Sequence, residues 1–227
     1  LTSFSREAST EGTADVAEDT AFGDNSKTYI AGQKDGTLTA GGIYDAAAGA
    51  SAQVLESLLG TADAEVSYLP EGDAVGKRGY GLLSIPTQFS VQSPVDDIVA
   101  WSAEAQSSVG KEPVLSLHAL GAETVSGNGT GQDNAASSAD GASAYLQVSA
   151  VAGTTPSLIV KVQHSVDNSV WVDLITFDVV TAASDNTSQR KKVSGTVNRY
   201  LRFTASDDVA GPLNAVFLVV ASRNPGN

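Results

Sequence analysis

Apolar and polar positions alternate with period two along most of this chain, and one stretch switches to helical spacing. Lys27 to Tyr44 (KTYIAGQKDGTLTAGGIY) sets Tyr29 with Ala31 on one parity, then Leu38, Ala40 and Gly42 on the other. This predicts a strand pair that turns at Lys34-Asp35-Gly36. Asp45 to Gly60 (DAAAGASAQVLESLLG) is rich in alanine, and Val54, Leu55, Leu58 and Leu59 make a narrow apolar stripe. It predicts one packed helix over 46–59, capped by Asp45 and stopped by Gly60. A short strand is expected at 64–69, then a long polar loop over 70–81 (PEGDAVGKRGYG). From Leu82 to Gln92 the residues Leu83, Ile85, Thr87, Phe89 and Val91 share a parity, and Pro86 marks an edge or a bulge. Asp96 to Val109 fits both periods and stays open between strand and helix. Residues 1–26 are polar with scattered apolar positions, and read as a strand end followed by an exposed arm.

Gly110-Lys111-Glu112-Pro113 interrupts the pattern, and composition changes after it. It is taken as a domain boundary between 1–110 and 111–227. Beyond it the chain reads all-β, with segments at 114–120, 142–151, 156–166, 170–180, 190–206 and 213–222. Asp167-Asn168 sits between two of them as a tight hairpin, and Leu158, Val160 and Val162 face opposite to Lys161 and Gln163. Six such segments with turns between them predict a β-sandwich of about 115 residues. The expected fold class is therefore mainly β: a barrel or sandwich with one packed helix, followed by an all-β sandwich domain.

Charge divides the chain unevenly. The first 110 residues hold sixteen of the 26 carboxylates against five Lys or Arg, a formal −11, while the rest carries −2. A surface of that sign repels phosphates, so it either avoids nucleic acid or lets it pass without sticking. No run approaches the roughly 18 apolar residues of a membrane span, which predicts a soluble chain. The absence of cysteine removes disulfides and thiolate metal sites from consideration. There is no methionine either, and Leu1 suggests a short missing N-terminal segment.

Candidate chemistry is sparse. His118 and His164 are isolated in strands with no acidic residue at metal-ligand spacing, and read as structural. Asp96-Asp97 reads as a cap or loop, because neighbours in a strand point to opposite faces. Gly127-Asn128-Gly129-Thr130-Gly131 lacks the Lys-Ser/Thr of a phosphate loop. Asp167, Asn168, Ser169 and Asp173 offer calcium-type oxygens, but a hairpin turn explains the same letters. Arg190-Lys191-Lys192, with Arg199 and Arg202, reads as a solvated strand edge or a contact with acidic neighbours. Trp101 and Trp171 read as core aromatics. No nucleophile elbow or zinc-protease motif is present, so neither catalysis nor a cofactor is expected.

The order of elements resembles the tail tube (major tail) proteins of long-tailed bacteriophages over residues 1–110. The likeness rests on Thr20-Ala21-Phe22-Gly23-Asp24, Lys27-Thr28-Tyr29-Ile30-Ala31-Gly32, Lys34-Asp35-Gly36-Thr37-Leu38 and Gly42-Ile43-Tyr44-Asp45 leading into the helix. The second half is similar to β-sandwich modules of phage structural proteins, through Gly153-Thr154-Thr155-Pro156-Ser157-Leu158, Val162 to Asp167, Trp171 and Asn198 to Arg202. The resemblance implies a virion tail protein without enzymatic activity: hexameric rings stacked into a tube, other tail proteins at its ends, and DNA passing through an acidic lumen during ejection. It places the second domain on the exterior, and no membrane is involved. The arm (roughly 1–30) and the loop 70–81 are the segments expected to grip neighbouring rings. Phe22, Tyr29, Glu71, Asp73, Lys77, Arg78 and Tyr80 are the contact residues. The rival readings are a carbohydrate-binding module or adhesin, using loops 127–134 and 166–170, and a capsid decoration protein.

Overall fold

The computed structural model describes residues 5–23, 25–47, 51–61, 64–152, 157–207 and 213–223. Leu1 to Phe4, Asp24, the start expected for the helix at 48–50 and the Gly153–Pro156 motif lie outside the described residues. The chain is mainly β, with antiparallel pairing between strands, and forms two compact units. One comprises residues 1–66 and 82–111, with 226–227; the other comprises 67–81 and 112–225. No helix among the described residues is long and apolar enough to cross a membrane.

In the first unit, β1 (Ser5–Glu18) pairs with β2 (Tyr29–Ile43). The segment expected to fold as a strand pair is thus a single strand: Lys34-Asp35-Gly36 runs straight through, because β1 supplies the partner that a hairpin would otherwise provide. The short helix α1 (Ser51–Ser57) is narrower than the expected 46–59, and Leu58 to Gly60 follow it as a turn. Asp45 accepts from the Ala47 N–H at 2.9 Å. The strand β3 (Ala64–Tyr68) pairs with β4 (Arg78–Gln92). The undecided stretch is β5 (Ala100–Ser107), a strand lying between β2 and β4.

Register fixes the two faces of β1–β2–β5–β4. A bulge between Pro86 and Gln88 shifts β4 by one residue, so Leu83 and Ile85 leave the face that Phe89 and Val91 occupy. The single face expected from parity is broken for that reason. On one side Ala40, Trp101, Ala103 and Phe89 meet Tyr44, Ala52 and Leu55, so the helix covers this face. Trp101 is 3% exposed and its Nε1–H donates to the Ile43 carbonyl at 3.0 Å. The sheet is open and does not close into a barrel among the described residues.

The second unit is a sandwich. Its strands are β6 (Glu112–Glu123), β7 (Gly127–Asn128), β8 (Gln132–Asp133), β9 (Ala142–Val151), β10 (Ser157–Ser165), β11 (Val172–Thr176), β12 (Val180–Thr181), β13 (Thr187–Val193), β14 (Tyr200–Ser206) and β15 (Ala215–Ser222). One sheet runs β6–β15–β9–β13, and the first residues of β4, Arg78 to Gly81, pair with β6. The other runs β11–β10–β14, with β7 and β8 on β14 and β12 on β10. Leu146, Leu158, Val160, Val162, Leu201 and Phe217 fill the space between them. The predicted parity of β10 holds, since Leu158, Val160 and Val162 are buried while Lys161 and Gln163 are half-exposed. The expected 190–206 strand divides into β13 and β14.

A second, smaller apolar cluster joins Val114, Tyr145, Leu218 and Val220 to Leu69. Beside it lies a buried polar network. Glu112, 1% exposed, accepts from Ser143 Oγ (2.8 Å), Tyr145 Oη (2.5 Å) and Arg190 Nη2 (2.6 Å). Burial pulls the Arg190 guanidinium down, but the hydrogen bond and charge of Glu112 outweigh it and leave its pKa raised. Burial, and then the Glu112 charge, push the Tyr145 phenol up. Gly81 is required here, because a Cβ at that position would collide with the Tyr145 ring.

Candidate functional site

The uncovered face of the first unit's sheet carries part of the unbalanced charge. Paired residues in an antiparallel ladder share a face. The pairs Glu7–Gly41, Ser9–Thr39 and Glu11–Thr37, then Thr39–Glu104 and Thr37–Gln106, then Gln88–Glu104 and Ser90–Ser102, therefore define one continuous surface. Asp35 joins it through its pairing with Thr13 and a hydrogen bond from Gln106 Nε2. Glu7, Glu11, Asp35 and Glu104 are the charged members of this ladder, and no Lys or Arg stands at these paired positions. None of the four carboxylates forms an ion pair among the described residues.

Hydroxyls and amides tie the surface together. Ser9 and Thr39 hydroxyls lie 2.6 Å apart, Ser90 and Ser102 hydroxyls 2.8 Å apart. A groove of ≈ 260 Å³ is lined by Glu7, Ser9, Thr39, Ser102 and Glu104, among others. Chemically this is a polar surface of negative charge, which repels phosphates. No cluster of His, Asp and Glu that could hold a metal ion occurs among the described residues. Glu104 escaped the sequence reading because the period of 96–109 was undecided; the Ser102, Glu104, Gln106 alternation was the available signal.

The predicted contact residues separate into two places. Phe22 and Tyr29 belong to the β1–β2 ribbon, where Phe22 is fully exposed and Tyr29 sits opposite Glu18, 54% exposed. From Gly12 to Gly36 this ribbon is nearly all exposed and extends past the residues of β2 that pair with β5. A two-stranded ribbon of this kind is only marginally stable alone in water. Lys27 spans its end to Glu18 at 2.8 Å.

Glu71, Asp73, Lys77, Arg78 and Tyr80 lie on the segment that folds back over β6. Ser116 Oγ donates to the Asp73 carbonyl (2.6 Å), Gly76 N–H to the Ser116 carbonyl (2.9 Å) and Leu120 N–H to Asp73 Oδ2 (3.0 Å). Arg78 N–H donates to Glu71 Oε2 at 3.2 Å. Tyr80 stands opposite Pro113 in the β4–β6 ladder. Both carboxylates are thus engaged with backbone, while the Lys77 and Arg78 side chains are exposed without an ion pair among the described residues.

The loops named for sugar binding do meet in the second unit. Gly131 packs so closely on Asn168 and the Trp171 ring that a Cβ there would collide with both. The Arg202 guanidinium covers the Trp171 ring at 4.2 Å, and Arg199, held by Asp133, covers the Tyr200 ring at 5.1 Å. Both rings are occupied by this chain's own arginines. Of the calcium-type oxygens, Asp167 Oδ1 accepts from Ser165 Oγ, Ser169 N–H and Val170 N–H at 2.9 Å each.

Both histidines are built into the fold. His118 stacks on Phe217 (centroids 4.3 Å apart), and its Nε2 lies 2.8 Å from Glu123 Oε1. His164 Nδ1 accepts from the Asn198 N–H at 3.2 Å. Of the basic run, Arg190 turns inward to Glu112 with its side chain 11% exposed, whereas Lys191 pairs with Asp178 at the surface. An edge reading from sequence did not anticipate the buried arginine.

No family model matches the chain, and no curated protein matches it. Among solved structures, a chain in the virion of a native gene transfer agent particle is similar at 8% identity and TM-score 0.40, over 48% of this chain and 83% of that one. A chain in the tail of an empty gene transfer agent particle with C6 symmetry is similar at 10% identity and TM-score 0.39, over 48% and 80%. The Dit protein of phage SPP1, described as a hub adsorption apparatus, is similar at 12% identity and TM-score 0.32, over 97% and 94%.

Proposed function

We propose that this chain is a non-enzymatic structural subunit of a phage-type tail, localised in the virion. In this reading copies form hexameric rings that stack into a hollow tube. The sheet β1–β2–β5–β4 is its wall, and the second unit stands on the exterior. The observation that carries the reading is the uncovered polar face with Glu7, Glu11, Asp35 and Glu104 and no cation along its ladder. DNA carries about one negative charge per 1.7 Å of axis. A wall of that sign, coated with hydroxyls and amides that hold water, keeps phosphates from adhering as the genome slides past. The exposed β1–β2 ribbon supports the assembly part, because its Val16, Phe22, Tyr29 and Ile30 are exposed and would gain burial against another copy.

Electron microscopy of the purified chain tests this directly. Six-fold rings or hollow filaments are expected, and they should not retain DNA at physiological salt. Assemblies of the Glu7→Lys/Glu11→Lys/Glu104→Lys variant should retain it. A chain that stays monomeric and binds sugars saturably, or one that attaches to isolated capsids, would overturn the proposal.

A further inference from the structure

A turn that plays no part in that reading has chemistry matching the loop expected to grip a neighbour. The turn lies between β4 and β5. Val95 is 99% exposed and Ile98 54% exposed, with Val91 beside them at 44%. Asp96 and Asp97 lie between Val95 and Ile98, and both are exposed. Asp97 Oδ1 accepts from the Ile98 N–H at 2.7 Å, and the Val99 carbonyl accepts from the Tyr44 N–H at 2.8 Å, so the turn is held from both sides. Neither aspartate forms an ion pair among the described residues.

The loop is the segment over β6. Its two carboxylates are held by backbone donors, as described above, and this separates them from the cations it presents. The loop that reads as mixed in sequence offers Lys77 and Arg78 outward, with Val75 (44% exposed) beside them. Lys77 N–H donates to the Ala74 carbonyl (3.0 Å) and Ser116 N–H to the Lys77 carbonyl (2.9 Å), which fixes the backbone that carries the cations.

An exposed apolar pair flanking two exposed anions, and an exposed valine beside two exposed cations, are complementary in both charge and hydropathy. We propose that the Val95–Ile98 turn of one copy docks on the Val75–Arg78 segment of a second copy. The inference rests on the assembly reading above and names one of its contacts. Because the two surfaces differ, the contact is heterologous, and each copy retains one free donor and one free acceptor surface for the next. Burial of Val95 supplies the non-directional attraction, while the Asp-to-Lys/Arg pairs set orientation and steer the encounter.

The test uses the full chain in sedimentation velocity across protein concentration and salt, with thermal melts to verify folding. Asp96→Lys/Asp97→Lys and Lys77→Asp/Arg78→Asp should each weaken self-association roughly tenfold or more. The four reversals combined should restore it to within a few-fold, and wild-type association should weaken as salt rises. Should a reversal disturb folding, Val95→Ser and Asp96→Asn/Asp97→Asn serve in its place, with weaker association expected. Association that is unchanged in the variants, or not restored by the swap, overturns this contact and leaves the assembly reading standing. A wild-type chain monomeric under all conditions overturns both.

Discussion

The open sheet face of the first unit and the sandwich of the second treat their carboxylates differently. In the second, carboxylates sit against partners: Glu112 is buried with Arg190, Asp133 grips Arg199, Asp173 holds Lys161 and Asp178 holds Lys191. In the first, Glu7, Glu11, Asp35 and Glu104 line an open face, and Asp96 and Asp97 are exposed on a turn, none of the six in an ion pair among the described residues. Paired charge brings specificity to a fold that is already complete. Unpaired charge of one sign destabilises a lone monomer through self-repulsion and has value only toward something outside it. The contrast supports the proposal that the open face of the first unit looks toward a polyanion.

The contrast can be broken most severely at Glu112. Arg190→Ala would leave a buried carboxylate without its cation, and a loss of about 3–5 kcal/mol in urea unfolding is expected. An unchanged unfolding midpoint would mean the pair contributes nothing. Next comes Gly81→Ala, whose Cβ collides with the Tyr145 ring; overpacking of this kind costs about 1–3 kcal/mol, read by the same titration.

Acid should act on the second unit through groups whose pKa is lowered on folding. Burial pulls His164 below 6.5, with its Nδ1 committed as an acceptor from Asn198. Its contribution is full above pH 6.5 and is lost as pH falls below that value, and His164→Gln should flatten the midpoint between pH 7 and 5. The Arg199 hydrogen bond holds Asp133 at about 2, so its contribution is present above pH 3.8 and disappears as pH falls toward 2. Asp133→Asn should remove that lower step from the acid-unfolding curve.

The smallest effect belongs to the first unit. Glu104→Gln should change monomer stability by no more than about 0.5 kcal/mol, because the carboxylate is exposed and holds no ion pair. A large loss there would show that the open face is a structural surface and would remove the distinction between the units.

Much of the second unit was legible in the letters. β9, β10 and β15 appear within a residue or two of their expected places, because buried strands of a sandwich keep strict apolar parity or continuous apolar runs. The first unit was harder to read. β1 carries almost no apolar signal, since its residues are exposed on both sides, and only pairing with β2 makes it a strand. β5 was ambiguous because Ala, Ser and Gln suit either period, and the β4 bulge inverted a face that parity alone had joined.

The sequence by itself determined the predominance of strand, the sandwich in the second half, the absence of thiol chemistry and the concentration of acid in the first 110 residues. These follow from composition and local period, which act between near neighbours. Only the tertiary structure decided which carboxylates share a face, that Arg190 is buried, and that Glu71 and Asp73 turn to backbone while Lys77 and Arg78 do not. Those outcomes depend on register between strands far apart in the chain, and a shift of one residue moves a side chain to the opposite face.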